Sequence, residues 1–112
     1  MTIFERILKK EIPAKVAYED DTVLAFHDIA PQAPIHVLVI PKQKWVRFSD
    51  FAIADPKQIG EYMSAVARVA KHLGLDENGY RVVFNNGRDG QQTVDYIHAH
   101  ILGGRRLSWP PG

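Results

Sequence analysis

The stretch Tyr96-Ile97-His98-Ala99-His100-Ile101-Leu102-Gly103-Gly104 decides the fold of the chain. It also contains two closely spaced histidines, which are its most reactive side chains. Polar and apolar residues alternate along it, which is typical of a strand with one buried face. Side chains two residues apart on a strand project to the same side, about 6.5 Å from each other. We therefore expect Tyr96, His98 and His100 to share one face, while the intervening apolar residues enter the core.

Two imidazoles on one strand face indicate catalysis or a metal site more than packing alone, because each must find a partner or water. The polar segment Asn85–Thr93 precedes them and contains the turn dipeptides Asn-Gly and Asp-Gly. It follows the strand-like segment Arg81–Phe84, so we expect a loop that joins two antiparallel strands. Backbone amides between Gly90 and Thr93 could then face an anion, although an ordinary hairpin loop also accounts for the glycines.

Composition indicates an ordinary globular chain and excludes several classes of protein. The 112 residues suffice for one hydrophobic core, so we expect a single domain over residues 1–112. The net charge is +1 and no basic run exceeds two residues, so we expect no nucleic-acid partner. No apolar run approaches a membrane span and the first residues lack a signal-peptide core, so we expect no membrane partner. The absence of cysteine excludes disulfides and thiolate metal sites and fits a cytoplasmic location.

The remaining segments predict an α+β fold. One long helix is expected over Pro56–Leu73, with proline in its first turn and Gly74 after its end. Its apolar stripe consists of Ile59, Met63, Val66, Val69, Ala70 and Leu73. The other predicted elements are a short helix over Ile3–Lys9, a hairpin of Val16–Asp20 and Val23–His27, and a central strand over His36–Ile40. We predict a mainly antiparallel sheet of about five strands with the long helix across one face, together with the short N-terminal helix.

The motifs in these segments resemble those of the histidine triad (HIT) family, and most closely its Hint branch of nucleoside phosphoramidases. The resemblance is densest over Gly90–Gly104 and continues through the tail to Gly112. Further matching segments, in the same order, are Ile3-Phe4, Lys10–Lys15, Phe26–His36 and Val39–Lys42. Two positions depart from the pattern: Tyr96 replaces the first histidine of the triad, and Lys44 stands where close relatives often carry histidine. The resemblance implies the same α+β fold and a homodimer whose sheet continues across the subunit interface.

The resemblance also implies a reaction, the hydrolysis of the P–N bond between a purine nucleotide and an amine, with no cofactor. His98 would attack the α-phosphorus and form a nucleotidyl-histidine that water then hydrolyses; imidazole suits this role because much of it is unprotonated at neutral pH. His100 would donate a hydrogen bond to a phosphate oxygen, and Thr93 would serve the leaving amine. His36 would support the phosphate site, although the sequence alone favours a structural histidine equally. The Tyr96 hydroxyl would take over part of the hydrogen bonding of the missing histidine.

A second set of residues is implied to hold the nucleotide. The Asp28 carboxylate would accept hydrogen bonds from both ribose hydroxyls, while by itself it is equally a turn residue. A contact with sugar or phosphate is implied for Asn85, which by itself would be an Asx-turn residue. Gln91 and Gln92 would supply polar contacts to the nucleotide from the same loop. Trp109, in the tail, would lie near the active site of the partner subunit. The apolar base pocket would consist of Ile3, Phe4, Ile7, Phe26, Ile29 and Leu38, and His27 would be a further nucleotide-binding residue.

Two other classes of function stay open. The chain could be a nucleotide-binding interaction module without turnover, with Tyr96 as the mark of that loss. It could also bind zinc through His36, His98 and His100, because imidazole nitrogens are common zinc ligands. For the phosphoramidase itself we expect no metal, and the sequence does not identify the physiological leaving group.

Overall fold

The computed structural model describes residues 1–112 and contains one antiparallel sheet with a helix on each face. The strands are β1 (Val16–Glu19), β2 (Val23–His27), β3 (Ile35–Pro41), β4 (Arg81–Val83) and β5 (Ala99–Gly103). Their spatial order is β1-β2-β3-β5-β4, so β3 is central as predicted. Helix α1 spans Ile3–Leu8, helix α2 spans Pro56–His72, and a short 3₁₀ helix spans Phe48–Ala52. The predicted fold class is confirmed, and no helix is long and apolar enough to cross a membrane.

Helix α2 begins and ends where the sequence predicts, but one of its core residues was misassigned. The Asp55 side chain accepts a hydrogen bond from the Lys57 amide at the N-terminus, with proline in the first turn. Tyr62 is almost fully buried, whereas its neighbour Met63, predicted to lie in the apolar stripe, is 38% exposed. Both positions fit the helical spacing of the apolar stripe to within one residue. Tyr62 takes the core position because its hydroxyl reaches the Val39 carbonyl at 2.8 Å.

Alternation along the strands sends residues to two separate cores. Helix α2 covers the face that carries Val37 and Val39 of β3, together with Ala99 and Ile101 of β5. The other face carries Leu38 and packs against Phe4 of α1. Neighbouring side chains on a strand point to opposite faces. The histidines of β5 therefore lie on the α1 side, away from the long helix.

The functional stretch is less regular than predicted, because β5 begins only at Ala99. The Ile97 amide donates a hydrogen bond to the Trp45 carbonyl instead of joining the sheet ladder. The alternation of side chains nevertheless persists, since Ile97, Ala99 and Ile101 are all buried in the core beneath α2. The predicted strand is thus wrong at its start but correct in the direction of its side chains.

Candidate active site

Strand pairing brings three histidines together on the α1 face. The register of β3 and β5 sets Leu38 opposite His100, so His36 is the diagonal neighbour of His100. The His36 Nε2 and His100 Nδ1 atoms lie 2.9 Å apart. The rings of His98 and His100 have centroids 5.0 Å apart. The pairing of two central strands therefore assembles the cluster from residues that are distant in sequence.

Backbone contacts determine which nitrogens carry protons in the His36–His100 pair. Burial lowers the pKa of both rings, that of His100 to about 4, so both are neutral at neutral pH. The Gln32 amide donates a hydrogen bond of 3.0 Å to His36 Nδ1, so the proton of His36 lies on Nε2. That Nε2–H donates to His100 Nδ1, which leaves the proton of His100 on its own Nε2. This last nitrogen is buried and has no partner in the chain. It is a donor available to a ligand oxygen.

His98 presents the complementary group, an unprotonated nitrogen. Its Nδ1–H donates a 2.7 Å hydrogen bond to the Tyr96 carbonyl, which can only accept. Burial lowers the pKa of His98, so the ring is neutral at neutral pH and the Nε2 lone pair is free. The Phe4 ring packs edge-to-face on the imidazole with centroids 5.0 Å apart. One backbone carbonyl and one aromatic ring thus orient this nitrogen.

Asp28 lies at the end of β2 beside the histidines. One carboxylate oxygen accepts a hydrogen bond of 2.8 Å from the Ala30 amide, which is the turn contact expected from sequence. The other oxygen lies 3.5 Å from His36 Nε2, longer than a hydrogen bond. Its negative charge opposes, but does not outweigh, the effect of burial on the pKa of His36. The second oxygen is therefore free to accept bonds from a ligand.

A cleft of about 560 Å³ opens between α1 and this face of the sheet. All six residues predicted for the base pocket line it, as does His27, with Asp28, Thr93, His98 and His100 at its polar side. The cleft also contains residues that the sequence reasoning did not assign: Ile12, Pro13, Ala14, Lys15 and Val94. The segment from Ile12 to Lys15 lacks a regular hydrophobic period, and its only signal was a match to the opening of the family. His36 is not part of the lining, but it is hydrogen-bonded to His100, which is.

Four residues expected to contact the nucleotide do not line the cleft: Asn85, Gln91, Gln92 and Trp109. Gln91 is exposed, and the Gln92 carboxamide forms hydrogen bonds only within the protein. Trp109 is 79% exposed and lies over the Arg81 guanidinium of its own chain, 5.8 Å from the ring centroid. In this structure the Gln92 carboxamide is therefore bonded within the protein and is not directed into the cleft.

Tyr96 shares the side of the sheet predicted for it but not the predicted role. Its ring packs with Phe4, whose ring also contacts His98. However, its hydroxyl donates to the buried Pro41 carbonyl and lies outside the cleft lining. The Lys44 ammonium lies 6.0 Å from the centre of the Tyr96 ring, so the two departures from the family pattern are neighbours. In this structure the hydroxyl is therefore bonded outside the cleft and not at the expected reacting site.

A possible metal-binding cluster differs from the predicted one in one residue. Ligand atoms of Asp28, His36 and His100 lie within 4.8 Å of one another, whereas His98 is not part of the group. Two imidazoles and a carboxylate form a donor set that zinc accepts. The carboxylate replaces His98 because the Nδ1 of His98 is bonded to a backbone carbonyl and its ring is turned toward Phe4.

Comparisons with known proteins agree with this architecture. The HIT domain model matches residues 9–107. The 14 kDa zinc-binding protein of Zea mays is 54% identical over 114 residues, which cover 99% of this chain and 88% of that protein. A HIT family hydrolase from Legionella pneumophila Philadelphia 1 has a TM-score of 0.92 at 44% identity, covering 100% of both chains. A histidine triad nucleotide-binding protein from Candida albicans has a TM-score of 0.80 at 33% identity, covering 100% of this chain and 85% of that one. The chain belongs to the HIT domain family.

Proposed function

We propose that this protein is a hydrolase of the Hint type, which cleaves the P–N bond between a purine nucleoside monophosphate and an amine. The observation that carries the proposal is the free Nε2 lone pair of His98 beside the unpartnered Nε2–H of His100 in one cleft. Attack on phosphorus requires a nucleophile, a donor for the phosphate oxygens and a proton for the leaving group. The Thr93 hydroxyl in the same cleft is the candidate for the last of these.

The proposed reaction has two displacement steps at phosphorus. In the first, His98 Nε2 bonds to phosphorus as the P–N bond breaks with both electrons on the leaving nitrogen, which takes a proton. The ring then carries positive charge, which the Tyr96 carbonyl stabilises by accepting the Nδ1–H bond. In the second, water attacks phosphorus and gives up a proton to solvent, while the bond to His98 breaks and its electron pair returns to Nε2. The products are the amine and the nucleoside monophosphate, with the imidazole neutral again.

The two sides of the cleft suit different parts of a nucleotide, the apolar side its base and the polar side its ribose. The apolar wall formed by α1 and the adjacent strand residues suits the faces of a planar base, whose burial is favourable. The free oxygen of Asp28 suits ribose hydroxyl donors. The Candida albicans relative is described as nucleotide-binding, which supports the same ligand class here.

The decisive experiment is turnover of an adenosine 5′-phosphoramidate, with AMP measured by chromatography and the trapped adduct by mass spectrometry. His98→Ala should abolish turnover while circular dichroism stays unchanged. His72→Ala is the matched control, because His72 is an exposed histidine on α2, on the opposite face of the sheet. Near-wild-type rates for His98→Ala would refute the assignment of the nucleophile. Nucleotide binding in calorimetry without any turnover would favour the interaction module instead.

Zinc binding is a second candidate function, favoured by the cluster of Asp28, His36 and His100. The Zea mays relative is described as zinc-binding. The His36 Nε2 and His100 Nδ1 atoms are 2.9 Å apart and share a proton in a hydrogen bond. A zinc ion bound between them would take the place of that proton. Equilibrium dialysis against ZnCl₂ should then show one ion per chain for the wild type and for His98→Ala, but weaker binding for Asp28→Asn. Equal uptake by all three proteins would exclude this site.

We also propose that the chain forms a cytoplasmic homodimer through the free edge of β4. This strand pairs only with β5 within the chain. The flanking Tyr80 and the strand residue Val82 are each 37% exposed. An unpaired edge with apolar side chains readily pairs with another strand. Light scattering that gives the mass of one chain would contradict the dimer.

A further inference from the structure

We infer that Gln92 is a positioning residue, whose carboxamide holds the loop that carries Thr93 where the threonine hydroxyl can serve the leaving amine. The inference rests on the proposed function and extends it to leaving-group protonation. It also reverses the role expected for Gln92, which was that of a nucleotide contact.

The Gln92 side chain joins three segments of the chain. Its Nε2 donates to the Val46 carbonyl at 2.6 Å and to the Val94 carbonyl at 3.0 Å. Its Oε1 accepts from the Gly87 amide at 3.0 Å. Both amide hydrogens and one oxygen lone pair are thus satisfied. The carboxamide connects the start of the loop to its end and ties both to a segment 46 residues earlier in the chain.

Thr93 depends on this arrangement for its position. Its own side chain forms no hydrogen bond within the chain, although it lines the cleft with His98 and His100. The tip of the loop before Gln92 carries an exposed ion pair between Arg88 and Asp89, and the Gln91 amide bonds only back to the Arg88 carbonyl of the same turn. The Gln92 backbone amide also donates to the Gly87 carbonyl at 2.9 Å. The bonds of Gln92 therefore fix the chain on both sides of the threonine.

The position of the Thr93 hydroxyl matters for one step of the reaction only, the protonation of the leaving nitrogen. When the bond from His98 Nε2 to phosphorus forms, the P–N bond breaks and the leaving nitrogen needs a proton. The Thr93 hydroxyl can pass on a proton drawn from solvent, so the side chain itself is unchanged. Displacement of a catalytic group by about 1 Å can cost on the order of 100-fold in rate. A leaving group that is stable as an anion does not need this proton.

The test compares two substrates in the wild type and in Gln92→Ala: an adenosine alkyl phosphoramidate and an adenosine 5′-(4-nitrophenyl) phosphate. We expect kcat on the phosphoramidate to fall at least about tenfold, with KM nearly unchanged, and kcat on the nitrophenyl ester to change little. Thr93→Ala should show the same pattern, and the double variant should be no slower than either single variant. Asp89→Ala is the control in the same loop, because it removes only the exposed ion pair.

Gln92→Met provides a second variant of similar shape in case the alanine variant does not fold, and it should show the same dependence on the leaving group. Equal losses on both substrates, or additive losses in the double variant, would overturn the inference and leave the proposed function intact. If the folded wild type cleaves neither substrate, the proposed function fails and the inference fails with it. A phosphoramidate rate for Gln92→Met equal to that of the wild type would also overturn the inference.

Discussion

Replacement of Tyr96 by phenylalanine should affect stability and leave catalysis almost unchanged. The Tyr96 ring is 1% exposed, and its hydroxyl donates to the Pro41 carbonyl. Removing the hydroxyl deletes this bond and leaves a buried carbonyl with one partner fewer, at a cost of about 1–2 kcal/mol in the free energy of unfolding. Burial raises the pKa of Tyr96 to about 12, so the hydroxyl stays protonated throughout an ordinary assay range.

The chain offers a matched control on the opposite face of the sheet. Tyr62 is also 1% exposed, and its hydroxyl donates to the Val39 carbonyl at 2.8 Å. Tyr62→Phe therefore removes the same kind of bond from the core beneath α2. Both variants should lower the free energy of unfolding by about 1–2 kcal/mol. For a domain of this size the melting temperature should fall by roughly 4–8 °C.

Urea unfolding followed by tryptophan fluorescence, together with kcat on an adenosine phosphoramidate, separates the two effects. We expect both variants to unfold at lower urea concentration with an unchanged m-value, and to keep kcat within about twofold of the wild type. The reasoning would be refuted if Tyr96→Phe unfolded like the wild type but lost about fivefold or more in kcat while Tyr62→Phe did not. Such a result would place the hydroxyl in the reacting site despite its bond to Pro41.

Three further predictions test the histidines and the tail. Because burial lowers the pKa of His98, the acid limb of the pH profile of kcat/KM should have its midpoint below pH 6.5. The Phe4→Ala substitution exposes the His98 ring to water and should move that midpoint upward. The pKa of His100 is lowered to about 4 in the folded chain, against 6.5 in the unfolded chain, so the unfolded chain binds more protons between these pH values. The free energy of unfolding should therefore fall as the pH decreases from 6.5 to about 4. In urea titrations, the His100→Asn variant should show a shallower fall. The tail from Ser108 to Gly112 contacts Arg81 of its own chain through the Ser108 carbonyl and the Trp109 ring. If the tail reaches a partner's site, its deletion should change leaving-group preference more than melting temperature, and an unchanged preference across a series of amines would exclude that role.

Much of the fold followed from local pattern. The alternation in β2, β3 and β5 fixed which side chains face α2, because a strand has a side-chain period of two wherever it lies. Proline in the first turn and Gly74 beyond the end located α2 within a residue. Helical periodicity alone could not decide whether Tyr62 or Met63 faces the core, because neighbouring residues on a helix are separated by only 100° around its axis. Only the surface that packs against the helix selects between them.

The sequence by itself determined that His98 and His100 project from one side of the chain and that apolar residues surround them. Only the tertiary structure decided what each nitrogen can do. The proton positions follow from contacts of the Gln32 amide with His36 and of His36 with His100, which are 64 residues apart in sequence. Likewise, the polar groups of Tyr96 and Gln92 are bonded to carbonyls distant in sequence, those of Pro41 and Val46, which the pattern around each residue did not indicate. Hydrogen-bond partners are set by which segments pack together, and periodicity within one segment carries no information about the carbonyls of another.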